Sequence, residues 1–140
     1  MKTISAFLSL YTFFLSPLTA KNITISCPYK DISFQVEVAQ TPSDMARGLM
    51  FRTQLADNEG MLFMYPTPQP VGMWMKNTPL SLDMIFCGSD GKILAIYEKT
   101  TPYSLRTIGP VMKTAQVLEI LGGTVQKRGI TKACVLTLNR

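Results

Sequence analysis

The sequence contains no histidine. That absence removes Ser-His-Asp and Cys-His nucleophiles, HExxH zinc sites and every histidine acid or base. Neither a P-loop nor a GxGxxG turn is present. Charged residues make up only 16% of the 140, and no long single-sign run occurs. With 46% apolar residues, this is the composition of one folded domain, not of a disordered chain. The 14 basic residues are scattered, only Lys127 and Arg128 being adjacent. That pattern suits a solvated surface and argues against a nucleic-acid partner.

Long apolar runs are missing after residue 20. Before it, MKTISAFLSLYTFFLSPLTA has one lysine, an uncharged apolar run from Ile4 to Leu15, a break at Ser16-Pro17 and a small residue at Ala20. The run is about a dozen residues, short of the roughly 20 that span a bilayer, and reads as a cleaved signal peptide. An uncleaved anchor is the alternative, because Leu18 is bulky for a cleavage site. Cys27 raises the thought of a lipoprotein, but Thr24 stands where such sequences carry an aliphatic residue. The expected product is an exported domain of residues 21–140, with net charge +4 once Lys2 is removed.

Cysteines are few: Cys27, Cys87 and Cys134. Their spacing excludes a zinc knuckle or a CxxC pair, and an odd number leaves at least one free thiol. All three lie in apolar contexts, as small buried hydrophobes do. If one bridge forms, Cys27 to Cys134 is expected, joining the two ends of the domain.

What is present points to β structure. Ile23–Cys27 reads as a strand, and SFQVEVA alternates with Phe34, Val36 and Val38 inward. TPSDMARG predicts a short helix, with Thr41 as N-cap, Pro42 in the first turn and Gly48 at the end. Further strands are expected at 60–65, closed by Pro66, Pro68 and Pro70, and at 72–78, stopped by Pro79. Residues 84–87 and 92–98 flank Gly88-Ser-Asp-Gly91, a hairpin turn. After a loop over 99–114, strands at 116–121 and 133–138 enclose a Gly-Gly turn and a helical turn at 124–128. The expected fold is mainly β, a single compact sandwich- or barrel-like domain of about eight short strands with one or two short helices.

Three clusters carry chemistry. RGLMFR holds Arg47 and Arg52, whose planar donors suit carboxylates or phosphates; the bland alternative is an internal ion pair with Asp83 or Glu119. MWMKNTPLSLD, residues 73–83, holds the only tryptophan. As a strand it would put Met73, Met75 and Asn77 on one face, and Trp74, Lys76 and Thr78 on the other. A tryptophan beside lysine and asparagine makes a pocket wall for a flat or sugar-like ligand, or else a core tryptophan at a sheet rim. Eight methionines follow Met1, and Met61, Met64, Met73 and Met75 with Trp74 are a candidate Cu(I) or Ag(I) set. Irregular core filling is the plain alternative. Paired carboxylates for glycan hydrolysis are conceivable only among Glu37, Asp83 and Glu119.

In order along the chain, FQVEVAQTPSDMARGLMFR, GMLFMYPTPQPVGMWMKNTPLSLDMIF, GKILAI, PYS and VLEILGGTVQKRGI resemble the bacterial and archaeal family known as domain of unknown function 192, over about residues 33–131. The resemblance implies a compact mainly β domain, often exported, and no established activity. It marks Arg47, Gly48, Arg52, Gly60, Met61, Phe63, Trp74, Met75, Lys76, Asn77, Thr78, Asp83, Gly91 and Glu119 as signature positions. Such sequences commonly place Gly-Asp before the last strand, where this chain has Ala133-Cys134. A polar signature spread over separate segments is more readily explained by a shared site than by packing.

The expectation from sequence is therefore an exported binding domain for an anionic or polyhydroxyl ligand, without cofactor. Its ligand, an unknown small molecule or envelope component, would meet Trp74, Lys76, Asn77, Thr78 and Arg47 or Arg52, with Asp83 and Glu119 orienting the basic groups. The alternatives are a structural or partner-binding domain, the methionine metal carrier, and a carboxylate hydrolase.

Overall fold

A computed structural model describes residues 18–140. The apolar stretch read as a leader lies outside the described residues up to position 17. Ala20 already opens the first strand, and the Thr19 carbonyl accepts a bond from the Val38 amide.

Seven strands and two short helices follow: β1 (Ala20–Cys27), β2 (Lys30–Ala39), α1 (Pro42–Arg47), β3 (Glu59–Gln69), β4 (Leu82–Cys87), β5 (Ile93–Tyr97), β6 (Thr114–Leu121), α2 (Thr124–Arg128) and β7 (Val135–Leu138). They form one sheet in the order β5-β4-β6-β3-β2-β1-β7, antiparallel except between β2 and β3. The parallel pair requires a crossover, which α1 and the loop behind it supply.

The mainly β fold is as expected from sequence, and its form is a single curled sheet. The two edges meet at one end, where Lys92 bridges Val135 and the Leu136 amide donates to the Gly91 carbonyl at 2.9 Å. Gly91 has φ +79°, and a Cβ there would lie 2.0 Å from the Leu136 oxygen, so the closure needs glycine. Cys27 and Cys134 are joined in a disulfide across a separation of 107 residues, and Cys87 is free and buried. The turn before β7 forms without Gly-Asp: the Cys134 amide donates to the Thr131 carbonyl, and the Cys134 sulfur accepts from the Thr131 amide.

Two sequence expectations fail. The strand closed by Pro66 instead runs to Gln69, because the β3–β6 register shifts between Met64 and Gln69 and Pro66 and Pro68 need donate nothing there. Residues 72–78 are not a strand, which leaves seven strands and not eight. Met73 makes a lone two-way bridge with Ile108, Met75 bonds to the Ser104 carbonyl, and Asn77 turns left-handed at φ +52°. The segment crosses the sheet as a cover, so two-sided alternation gives way to one-sided burial: Met75 and Thr78 are inside, while Lys76 and Asn77 are out.

The sheet buries residues on both faces. Inside the curl lie Ile23, Ile25, Phe34, Leu62, Ile85, Leu118 and Ile120. On the other face Met61, Phe63, Met84, Phe86 and Val117 pack under Leu49, Val71 and Met75, which come from the segment after α1 and from the cover. Positions that alternate along β6 belong to different cores, and this separates the candidate site residues.

Candidate functional site

Glu119 is the odd member of the second face. On β6 it sits opposite Met61 of β3 on one side and Met84 of β4 on the other, between two fully buried thioethers. It is 4% exposed, and none of the three ion pairs among the described residues involves it. Burial pushes its carboxyl up to about 8. A carboxyl kept neutral near pH 7 is a hydrogen-bond donor; once ionised it is a base.

The cover and α1 leave a cavity of about 30 Å³ over this carboxyl, room for a water or one small group. Met45, Leu49, Phe63 and Met73 give apolar walls, while Arg47, Trp74, Lys76 and Thr78 supply polar and aromatic ones. Sequence explains the placement. Thr41 caps α1 by accepting from the Asp44 amide, Pro42 fills the first turn, and Arg47 falls in the last. Gly48 then turns the chain at φ +49°, where a Cβ would press on the Phe63 ring at 3.2 Å. The Phe51 amide donates to the Asn77 carbonyl at 2.8 Å, fastening the loop after α1 to the cover. The Tyr103 amide donates to the Thr78 carbonyl at 3.1 Å and fixes the other side. Phe51, Asn77 and Tyr103 all have positive φ without being glycine, so the two bonds that fasten the cover involve three left-handed backbones.

Lys76 holds its ammonium 5.0 Å from the Trp74 ring centroid, a cation–π contact at a half-exposed tryptophan. Thr78 is buried, and its hydroxyl donates to the Lys76 carbonyl, leaving its oxygen free to accept. Asn77 sits at the rim, its amide reaching toward the Met50 sulfur. Tyr65, on the face of Glu119, donates to the Met73 sulfur; burial and then the charge of Glu119 raise its phenol.

Of the residues named from sequence, Arg47, Trp74, Lys76, Thr78 and Glu119 line one cavity, and Asn77 borders it. Arg52 does not join them. It pairs with Glu37, not with Asp83 or Glu119, and lines a separate cleft of about 350 Å³ with Leu55 and Glu59. Asp83 is also elsewhere. It is fully buried beneath the opposite face and accepts from the amides of Lys99, Gly123 and Val125. Gly123 offers α2 no side-chain cap, and Asp83 supplies one from a distant strand.

The carboxylate hydrolase needs two carboxyls facing one cleft. Asp83 and Glu119 point to opposite sides of the sheet, and Glu37 is held by Arg52, so that reading is abandoned. The methionine set is likewise divided: Met61 belongs to the core of the second face, whereas Met64 packs against the core inside the curl. Met75 accepts from the buried Thr100 hydroxyl. Sequence reasoning missed Met45, Leu49, Met50 and Phe63 as cavity lining. Phe63 and Met61 share a face by strand period, a signal that was available; the approach of α1 was not.

The cavity is thus built from the RGLMFR, GMLF, MWMKNT and VLEI segments, whose order along the chain matches a single family model, "Uncharacterized ACR", domain of unknown function 192, over residues 25–138. The chain belongs to the domain of unknown function 192 family. Solved structures agree in fold and sequence. A Sinorhizobium meliloti 1021 protein described as a "putative transcription regulator" is 37% identical with TM-score 0.85, covering 87% of this chain and 95% of that one. A Novosphingobium aromaticivorans DSM 12444 protein of unknown function is 35% identical with TM-score 0.84, covering 88% of each. No curated protein matches the chain. Membership in this family brings no established activity. Among the described residues no helix is long and apolar enough to cross a membrane.

Proposed function

We propose that this member of the domain of unknown function 192 family is an exported domain that binds a small anionic or polyhydroxyl ligand in the cavity over Glu119. The observation that carries the reading is a buried carboxyl without an ion-pair partner, at the floor of a cavity lined by two cations and the only tryptophan. Leaving such a group unpaired costs several kcal/mol, a cost a packed core would avoid with an apolar residue. Arg47 and Lys76 supply positive charge, Trp74 an aromatic wall, Thr78 an acceptor and Glu119 a donor when protonated. Export is supported by the sequence of the first twenty residues and by the Cys27–Cys134 disulfide, since such bridges persist in oxidising compartments.

The test is native mass spectrometry of the protein purified gently from its own host. The expected result is an added mass that is lost in Trp74→Ala and Arg47→Ala. A bare mass, together with no shift of Trp74 fluorescence against a panel of sugars and organic acids, would overturn the binding reading. Fractionation with N-terminal sequencing of the recovered chain tests export; a chain starting at Met1 and recovered from the soluble cytoplasmic fraction counts against it.

A further inference from the structure

We propose that the cavity takes a carboxylate onto a protonated Glu119, which keeps its O–H and donates a hydrogen bond to the ligand's carboxylate while Arg47 and Lys76 supply positive charge. This rests on the binding reading above and names its ligand class. Three features select that class. The cavity admits only one small group, which excludes a sugar ring from its depth. Its walls of Met45, Leu49, Phe63 and Met73 are apolar, which disfavours a multiply charged phosphate. Its floor and lining carry one acid and two cations, so a monoanion that shares the proton of Glu119 leaves no carboxylate unpaired. No bond is made or broken beyond these hydrogen bonds; below about pH 8 Glu119 already holds the proton, and above it the proton comes from solvent.

Every charged or titratable group facing Glu119 can be named. α1 offers Arg47, the cover offers Lys76, and β3 offers Tyr65. From β4 comes only Met84, Asp83 being on the other face, and beyond Met84 in the same cross-sheet row β5 offers Tyr97. Glu37, in the same cross-sheet row beyond Met61, is paired with Arg52. None of these supplies a second proton acceptor at the floor. Because burial holds the Glu119 carboxyl at about 8, the empty site is protonated at neutral pH and ionised above it. An ionised floor would face the ligand's charge directly, so affinity should fall about tenfold for each pH unit above about 8.

Acetate and N-acetyl-alanyl-alanine are the probes, titrated against the full chain from about pH 6 to about pH 9.5 and read by Trp74 fluorescence. The amide of the dipeptide is the control. Binding of acetate alone indicates a free acid, and binding of the dipeptide but not its amide indicates a chain terminus. Glu119→Gln keeps a donor but no titration, and should bind with a flat pH profile; Glu119→Ala should lose binding at least tenfold. Circular dichroism confirms that each variant folds. A wild-type profile that is flat, or a probe bound equally by Glu119→Ala, would sink the proton-coupled inference and leave the site standing. Failure of both probes at about pH 6 overturns the carboxylate class. The retained-ligand experiment separately judges the site.

Discussion

Asp83 and Glu119 lie one register step apart on neighbouring strands and on opposite faces of the sheet. Glu119 is opposite Met84, and Asp83 is opposite Ile120. Both carboxyls are buried, but their surroundings differ completely. Asp83 receives three backbone amides at 2.8 to 3.0 Å, whereas Glu119 sits between Met61 and Met84 under a cavity. The first is a structural clamp and the second is the candidate functional group.

Replacing Asp83 with alanine should therefore cost folding and not specificity. Three amides would lose their acceptor and α2 would lose its cap, for a destabilisation of about 3 to 5 kcal/mol. At about 3 to 4 °C per kcal/mol, the thermal midpoint should drop by roughly 10 °C or more. A midpoint within about 2 °C of wild type would show that the clamp carries little.

Replacing Glu119 with glutamine should act in the other direction, and only above acidic pH. Its folded carboxyl stands at about 8, far above its ordinary value of 4.5, so the folded chain holds a proton that the unfolded chain loses. Wild-type stability should thus fall as pH rises from about 4.5 to about 8 and then level off, by on the order of 4 to 5 kcal/mol. The variant should lack that decline. Urea unfolding at several pH values measures it, and identical slopes in the two proteins would contradict the assignment.

Much of this was legible in the sequence. Strict alternation in β2, the Thr41-Pro42 start of α1 and the Gly88–Gly91 turn are local signals, and each produced its element. The Cys27–Cys134 pairing followed from strands at the two ends of the domain, and these are indeed neighbours, β1 beside β7. What was not legible is which face of the sheet each residue meets. Asp83 and Glu119 look alike as lone acids in apolar strands, and only the β4–β6 register separates them. Arg47 and Arg52 also look alike. The turn at Gly48 and the left-handed Phe51 send one to the cavity and the other to Glu37. The 72–78 segment has strand-like composition, but its long-range hydrogen bonds go to Phe51 and to residues 103–108, a pairing that no local pattern encodes.

The disulfide should matter more than any single contact. Closing a span of 107 residues restricts the unfolded chain by about 4 to 5 kcal/mol in the chain-entropy account. Reduction, or Cys27→Ser, should lower the denaturant midpoint accordingly. Cys87 should not substitute for either partner: burial, and then Asp90, push its thiol up to about 12, which suppresses the reactive thiolate. A thiol reagent should add nothing to the native chain and one label after unfolding without reductant. Labelling of the native chain would refute the burial of Cys87.

Gly91→Ala tests the closure of the curl. The added methyl would collide with the Leu136 carbonyl at 2.0 Å on a backbone already at φ +79°, so an edge must move. A cost on the order of 3 kcal/mol is expected, with faster hydrogen exchange at the Leu136 amide that donates to Gly91. Unchanged exchange at that amide would mean that the Gly91–Leu136 contact does not hold the two edges together.

The pair Trp74 and Met75 distinguishes a recognition segment from a packing one. They are adjacent, yet Met75 is fully buried beneath Thr100 while Trp74 is 47% exposed with Lys76 over its ring. If the cover existed only to seal the second core, alanine at either position should cost stability roughly in proportion to the burial lost. Met75→Ala should do so, at about 2 to 5 kcal/mol. Trp74→Ala should cost at most about 1 kcal/mol, because the half-exposed ring gives up little burial and its cation–π contact is solvent-screened. Its effect should appear instead as loss of the retained ligand and of any carboxylate response. Calorimetry of the two variants, run beside the acetate titration, measures both quantities. A Trp74→Ala protein destabilised as strongly as Met75→Ala would assign the tryptophan to packing, and the cover would then be a lid on the core with no claim to a ligand.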